Sequence, residues 1–302
     1  MTLVVARIEG DNIYIESDSK ITDDRAVRSS PLCGLLKTLI LHPFVSVSFA
    51  GNVHYAEQAI NRFIQNNRFD NIYPLIQLLI NANIESGNTV DFIVATINGR
   101  IPRLYKITNG ILEQDISNAW IGDYDGFAVY QREFITQDES LDVKDRMRNS
   151  FGAVVKDSSI ETIGDFHMST SIDSDINPNH PVFLHSLKVE IEVTEPQTIE
   201  FEEKGEWRAI PLGTTAGGSH GISYLVTVSP EFHGVAIHFT HGNFGVLFCP
   251  QISFNSITIN NVNGNEFVDR IRDQYEIPLR GLIKTNDSSI QFIDNRELNE
   301  VP

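Results

Sequence analysis

The sequence is poor in cysteine: Cys33 and Cys249 are the only two among 302 residues. Two thiols cannot supply a disulfide framework, so both are expected to be free in a reducing, cytoplasmic setting. Positive charge is also scarce. Lys plus Arg number 23 against 40 Asp plus Glu, a formal net charge of −17. Phosphate backbones are held by clustered Lys and Arg, so nucleic acid is excluded as an expected partner. No uninterrupted apolar run reaches the roughly 18 residues that a membrane-spanning helix needs, and no membrane partner is expected. The opening MTLVVARIEGDNIYI breaks its apolar run at Arg7 and Glu9 and has neither a basic leader nor a small-residue cleavage site, so it does not read as a signal peptide. What the chain does have is 41% hydrophobic residues. That is enough, at this length, for one large core or two small ones.

The periodicity gives an order of elements. Residues 2–9 and 12–18 read as two strands joined by a hairpin at Gly10–Asp11. A polar loop precedes a second strand pair over 36–43 and 44–51, in which Val45, Val47 and Phe49 alternate with small residues. At Gly51 the period becomes helical, with Val53, Ala56, Ile60, Phe63 and Ile64 on one face. A second helix follows around Ile72–Ile80, with Asp70 or Asn71 as its expected cap and Pro74 in its first turn. Strands over 90–99 and 102–110 lead to helices around 124–136 and 142–157, and the remainder reads mostly as strands with a last helix over about 264–276. Helices in pairs between sheet segments argue for α+β layering rather than a doubly wound parallel sheet. The expectation is one domain over 1–284 with an insertion at about 174–221, an acidic hairpin at 192–206, and a loosely held tail from 285 to 302.

The chemistry points to the extreme N-terminus. A small residue after Met1 permits removal of the initiator, which would give Thr2 a free α-amine beside its hydroxyl. Such an amine titrates near pH 7.7–8.0, at about the pH where a general base is most useful. Thr paired with its own amine is a recognised nucleophile and base. Asp18 closes the second strand and the hairpin returns it toward Thr2; Lys37 opens the third strand; Gly51 ends the fourth, where a backbone N–H can face an oxyanion with no side chain in the way. Taken singly, each has a plainer reading: a turn residue, an edge-strand lysine, a strand-to-helix turn. Their joint occurrence in this order argues for a site.

These residues carry a resemblance. Thr2 opening a strand, Asp18–Ser19–Lys20 closing a hairpin, Lys37 on the next strand and Ala50–Gly51 turning into a helix resemble the proteasome-type N-terminal-nucleophile hydrolases, which include the proteasome β-subunits and their smaller bacterial relatives. The segment 119–128 is similar to that family's turn into its third helix, with Asp123 standing where a Ser is usual. The resemblance implies a four-layer αββα sandwich of two antiparallel sheets flanked by helix pairs, with the strand pair in 222–249 completing the second sheet. It implies Thr2, Asp18, Lys37, the Gly51 backbone and, more distantly, Asp123 as catalytic residues. It leaves Ser158, Ser159 and Asp165 as candidates for further family positions. It also implies no metal or organic cofactor, a peptide or amide substrate, and a homo-oligomer in rings or stacks.

Other motifs fall short. The segment 213–221 resembles a phosphate loop, but Ser219–His220 follow Gly218 where Lys then Ser or Thr is required. The segment from Asp173 begins like a calcium loop, but Pro178 stands where Gly belongs and Leu184 where the bidentate Glu belongs. His238 on an extended strand faces away from His233 and His241, which argues against a shared zinc. Cys33 has no evident histidine partner. Three functions follow as expectations: an N-terminal-threonine peptidase or amidohydrolase, a catalytically inactive proteasome-like assembly or binding protein, and an amidase acting on small molecules.

Overall fold

The computed structural model describes residues 2–18, 35–66, 69, 71–99, 101–157, 159–163, 166–172, 183–189, 197–203, 206–212, 222–228, 231–284 and 290–294. Within them the protein is mixed α+β, with antiparallel sheets and five helices. The described chain divides into two compact units. One comprises the described residues up to Asp18 and from Leu36 to Val189; the other comprises Leu35 and the described residues from Gln197 onward.

In the first unit the strands are β1 (Leu3–Glu9), β2 (Asn12–Asp18), β3 (Thr38–His42), β4 (Val45–Gly51), β5 (Val90–Asn98), β6 (Ile101–Thr108), β7 (Ile111–Ile116), β8 (Asn118–Gly122), β9 (Phe166–Ile172) and β10 (Leu184–Val189). The helices are α1 (Val53–Asn66), α2 (Tyr73–Glu85), α3 (Tyr124–Thr136) and α4 (Val143–Lys156). Two five-stranded sheets result, in the orders β10-β9-β2-β1-β8 and β3-β4-β5-β6-β7. Val4, Ala6, Ile13, Ile15, Ala119 and Ile121 of the first sheet share one buried cluster with Ile40, Ala50, Ile93, Ala95 and Leu104 of the second, so the sheets face each other across it. The alternate residues of β1 and β2, Leu3, Val5 and Tyr14, pack instead against Tyr130, Met147, Phe151 and Val154 of α3 and α4. Both faces of β1 are therefore covered over Leu3–Ala6, which is why that part of its sequence is a continuous apolar run rather than an alternation. The helices α1 and α2 lie against β4, β5 and β6.

The second unit contains a two-stranded ribbon, β11 (Gln197–Glu203) with β12 (Glu206–Leu212). It also contains β13 (Ile222–Thr227), β14 (Val235–Phe239), β15 (Phe244–Phe248), β16 (Ile257–Asn260), β17 (Leu279–Lys284) and β18 (Ile290–Asp294), in the sheet order β16-β15-β14-β13-β17-β18. One helix, α5 (Gly264–Tyr275), covers a face of that sheet through Phe267, Val268 and Ile271, which cluster with Leu225, Ala236, Leu247 and Ile259. A capping box starts α5: Asn263 accepts from the Glu266 backbone and Glu266 accepts from the Asn263 backbone. Gly245 leaves room for the Phe267 ring, which any Cβ there would strike.

Several expectations change. The strands of 222–249 do not complete the second sheet of the first unit; they pair with β16 and β17 in a sheet of their own, because alternation marks a strand but not its partner. The acidic hairpin has its arms at 197–203 and 206–212, so its second arm lies almost wholly beyond the expected 192–206 stretch. Residues 290–294, expected in a loose tail, form an edge strand on β17. The strand β7 was missed because it is an exposed edge carrying Glu113, Gln114 and Asp115 rather than an apolar face. At α2 the cap position is Ile72, and the Asn71 side chain accepts instead from the Tyr73 backbone at 3.0 Å; Asp70 lies outside the described residues. Among the described residues no helix is long and apolar enough to cross a membrane.

Phe151 is the test of the first unit's packing. It is fully buried, stacks on His167 at 4.7 Å and meets Tyr130 edge-on. Phe151→Ala is expected to destabilise the unit by about 3–5 kcal/mol, read as a lowered urea midpoint. Ile135→Ser, at a position 68% exposed, is expected to shift stability by less than about 0.5 kcal/mol.

Candidate active site

Thr2 stands immediately before β1 and Asp18 ends β2, and the tight β1–β2 hairpin brings them together. The register runs from Glu9 opposite Asn12 to Val4 opposite Ser17. The Thr2 hydroxyl donates to Asp18 Oδ1 at 2.8 Å, and the Leu3 backbone N–H donates to the same oxygen at 3.2 Å. Thr2 is 2% exposed and Asp18 0%. A carboxylate this buried is held in place by charge-assisted hydrogen bonds, each worth roughly 1.5–3 kcal/mol.

Lys37 precedes β3 and is 3% exposed. Burial lowers its ammonium pKa from the ordinary 10.5, and the opposing attraction of Asp18 offsets this only in part. Its Nζ lies 5.2 Å from the centre of the Phe49 ring, and its carbonyl accepts from the Phe49 N–H at 2.9 Å. Phe49 thus supports Lys37 from the strand that ends at Gly51. Next along the chain, Thr38 and Ser48 share a hydroxyl–hydroxyl hydrogen bond of 2.9 Å.

Strand β8 reaches this cluster through Gly122, its last residue. Gly122 pairs with Leu3 and has φ +100°; a Cβ there would collide with the Thr2 carbonyl oxygen and press on the Ala50 side chain. Thr2, Ala50 and Gly122 therefore converge on one point. Gly51 also has positive φ, +107°, and a Cβ there would strike the Thr89 carbonyl. Its glycine is required by backbone geometry, quite apart from any oxyanion.

Asp123 is positioned differently from its expected role. Its N–H donates to the Thr2 carbonyl at 2.8 Å. Its carboxylate, however, caps α3 by accepting from the Gly126 N–H at 2.8 Å and also accepts from Thr162 Oγ1 at 2.7 Å. The side chain is committed to the helix, so Asp123 acts on Thr2 through its backbone. Sequence reasoning missed Gly122, Phe49 and Thr162. The Gly-Asp-x-x-Gly run at 122–126 was the available signal for the first.

A second buried polar cluster was also missed. Glu16 Oε2 meets His167 Nε2 and Ser169 Oγ, each at 2.5 Å, and Ser169 Oγ accepts from Arg148 Nε at 3.1 Å. Its members sit on β2, β9 and α4 and join those elements. In the second unit, His238 is buried on β14 and hydrogen-bonds to the Val262 carbonyl at 3.0 Å. Among the described residues no three His, Cys, Asp or Glu side chains gather as metal ligands. Ser19, Lys20, Cys33, Ser158, Asp165 and the segments 173–178 and 213–221 lie outside the described residues, whereas Ser159 hydrogen-bonds to Asp157 away from Thr2. No family model and no curated protein matches the chain.

Two outcomes follow from this geometry. Gly122→Ala forces a side chain into left-handed backbone against the Thr2 carbonyl, and is expected to cost about 1–3 kcal/mol or more in chemical denaturation. Lys37 gives a pH signature. Between its lowered folded pKa and 10.5 the unfolded chain binds more protons than the folded one, so its contribution to stability rises with pH. Urea midpoints of wild type and Lys37→Met, followed from neutral pH toward 10.5, should diverge in favour of wild type.

Proposed function

We propose that the chain is an N-terminal-threonine amidohydrolase of proteasome-like type, a peptidase with Thr2 as nucleophile after removal of Met1. The carrying observation is the hydrogen bond from the Thr2 hydroxyl to a fully buried Asp18 whose charge also acts on the buried Lys37. We read the first unit as a four-layer αββα sandwich: helices α3 and α4, the sheet holding β1, the sheet holding β4, then α1 and α2. The packing of Leu3, Val5 and Tyr14 on one side and of Val4, Ala6, Ile13 and Ile15 on the other supports this reading.

In the proposed reaction Thr2 Oγ attacks the carbonyl carbon of a peptide or amide. Its proton passes to the Thr2 α-amine, directly or through water. The positive charge of Lys37 favours the deprotonated oxygen and the developing negative charge. Asp18 orients both the hydroxyl and Lys37. The Gly51 N–H receives the oxyanion. The C–N bond then breaks, the amine leaves with the proton, and Thr2 holds the acyl group as an ester. Water, deprotonated by the α-amine, hydrolyses that ester and restores the hydroxyl. The reaction as written calls on no metal or cofactor. The resemblance extends the proposal to assembly of identical subunits into a ring or stack, in the cytoplasm.

A second reading is a non-catalytic proteasome-like assembly or binding protein. It is favoured by the 2% exposure of Thr2 and by the use of the Asp123 carboxylate as a helix cap. Intact-mass measurement with a β-lactone, which acylates a threonine hydroxyl, separates the two. The enzyme reading expects protein from its native host to be lighter by the initiator methionine and to gain one lactone. Thr2→Ala should abolish the adduct and Thr2→Ser retain it, and Lys37→Met should slow labelling by about a hundredfold. A retained Met1 with no adduct supports the second reading.

A further inference from the structure

A cleft of about 830 Å³ opens at the end of the β3–β4 hairpin, within the first unit. Its size suits a small organic ligand, for which sites run from about 300 to 1,000 Å³. It lies apart from Thr2. Val45, at the cleft, begins β4, and Gly51 ends the same strand, about 20 Å away at roughly 3.3 Å per residue.

The lining combines flat rings with one guanidinium. The His42 ring stacks on Phe69 at 4.9 Å with 20° between planes and meets Phe44 at 5.3 Å. Phe63 closes on Phe69 edge-on from behind, fixing that ring. Phe44 is 40% exposed and Tyr73 63%, so aromatic surface remains open to the cleft's mouth. Burial lowers the His42 pKa from 6.5, which leaves its ring neutral at neutral pH. Arg103 is then the one cation among the described lining residues, and none of those residues is a carboxylate. Interaction with Tyr105 favours the charged guanidinium, and Asp115 adds a weaker attraction from outside the lining.

In a chain of net charge −17, a cleft this large with no acidic side chain among its described lining residues is electrostatically unlike the average surface. The guanidinium fork matches a carboxylate, and the rings match a planar aromatic body. We propose that this cleft binds a small aromatic carboxylate, its ring among His42, Phe44 and Phe69 and its carboxylate on Arg103. The site does not depend on any reaction at Thr2.

Titration calorimetry of the full-length protein tests it with three probes: 4-hydroxyphenylacetate, its neutral amide 4-hydroxyphenylacetamide, and cyclohexylacetate. The acid should bind saturably at one site per chain, with the amide and the cyclohexyl compound each weaker, the amide by on the order of tenfold. Arg103→Gln should weaken the acid by a similar factor and leave the amide unchanged. Phe44→Ala should weaken both aromatic probes. Arg103 is fully exposed, so Arg103→Gln should unfold at the wild-type temperature, and an unshifted unfolding curve shows that lost affinity is not lost fold. Absence of saturable binding by the acid, equal binding of acid and amide, or an Arg103→Gln variant with wild-type affinity overturns the proposal. Lactone labelling at Thr2 reads the other site and is independent of these outcomes.

Discussion

The arrangement around Thr2 depends on keeping a carboxyl group and a lysine amine out of water together. Asp18 and Lys37 are 0% and 3% exposed, and either charge alone would be far too costly to bury. Two consequences follow. Asp18 needs donors, and it finds them in the Thr2 hydroxyl and the Leu3 N–H. Lys37 needs an environment that tolerates a partly destabilised ammonium, and it has Asp18 and the face of Phe49. The hairpin, the third strand and the end of the fourth are thereby tied together by electrostatics as well as by the apolar core between the sheets.

Much of the first unit was legible in the sequence. The β1–β2 hairpin announced itself through Gly10–Asp11 between two apolar runs, and α1 through the change of period at Gly51. Such signals are local: turn chemistry and side-chain spacing within a dozen residues. What was not legible was partner choice. The strands β13 to β15 carry the same alternation they would need in either sheet, and only their pairing with β16 and β17 places them in the second unit. Edge strands were the other failure. In β7 and β18 most side chains face solvent, so neither offered the apolar face that betrays a strand.

The site divides along a similar line. Thr2, Asp18 and Lys37 each occupy an element boundary, where sequence order alone suggests the convergence that the structure displays. For Asp123, nothing in the sequence says whether a carboxylate at a helix start turns toward the helix or toward a neighbouring strand. The carboxylate's contacts with Gly126 and Thr162 decide it. Gly122 and Phe49 were missed because their contribution is spatial: one yields room to the Thr2 carbonyl, the other lends its ring to Lys37.

Asp123 also has a mechanical meaning. Its N–H grips the residue at the head of β1 while its carboxylate grips the first turn of α3 and, through Thr162, the segment after α4. One residue thus rivets a helix to the strand that carries the hydroxyl. The first turn of α3 cannot slide along its axis and leave Thr2 where it is. The head of that helix carries the exposed Tyr124, whereas Thr2 itself is buried.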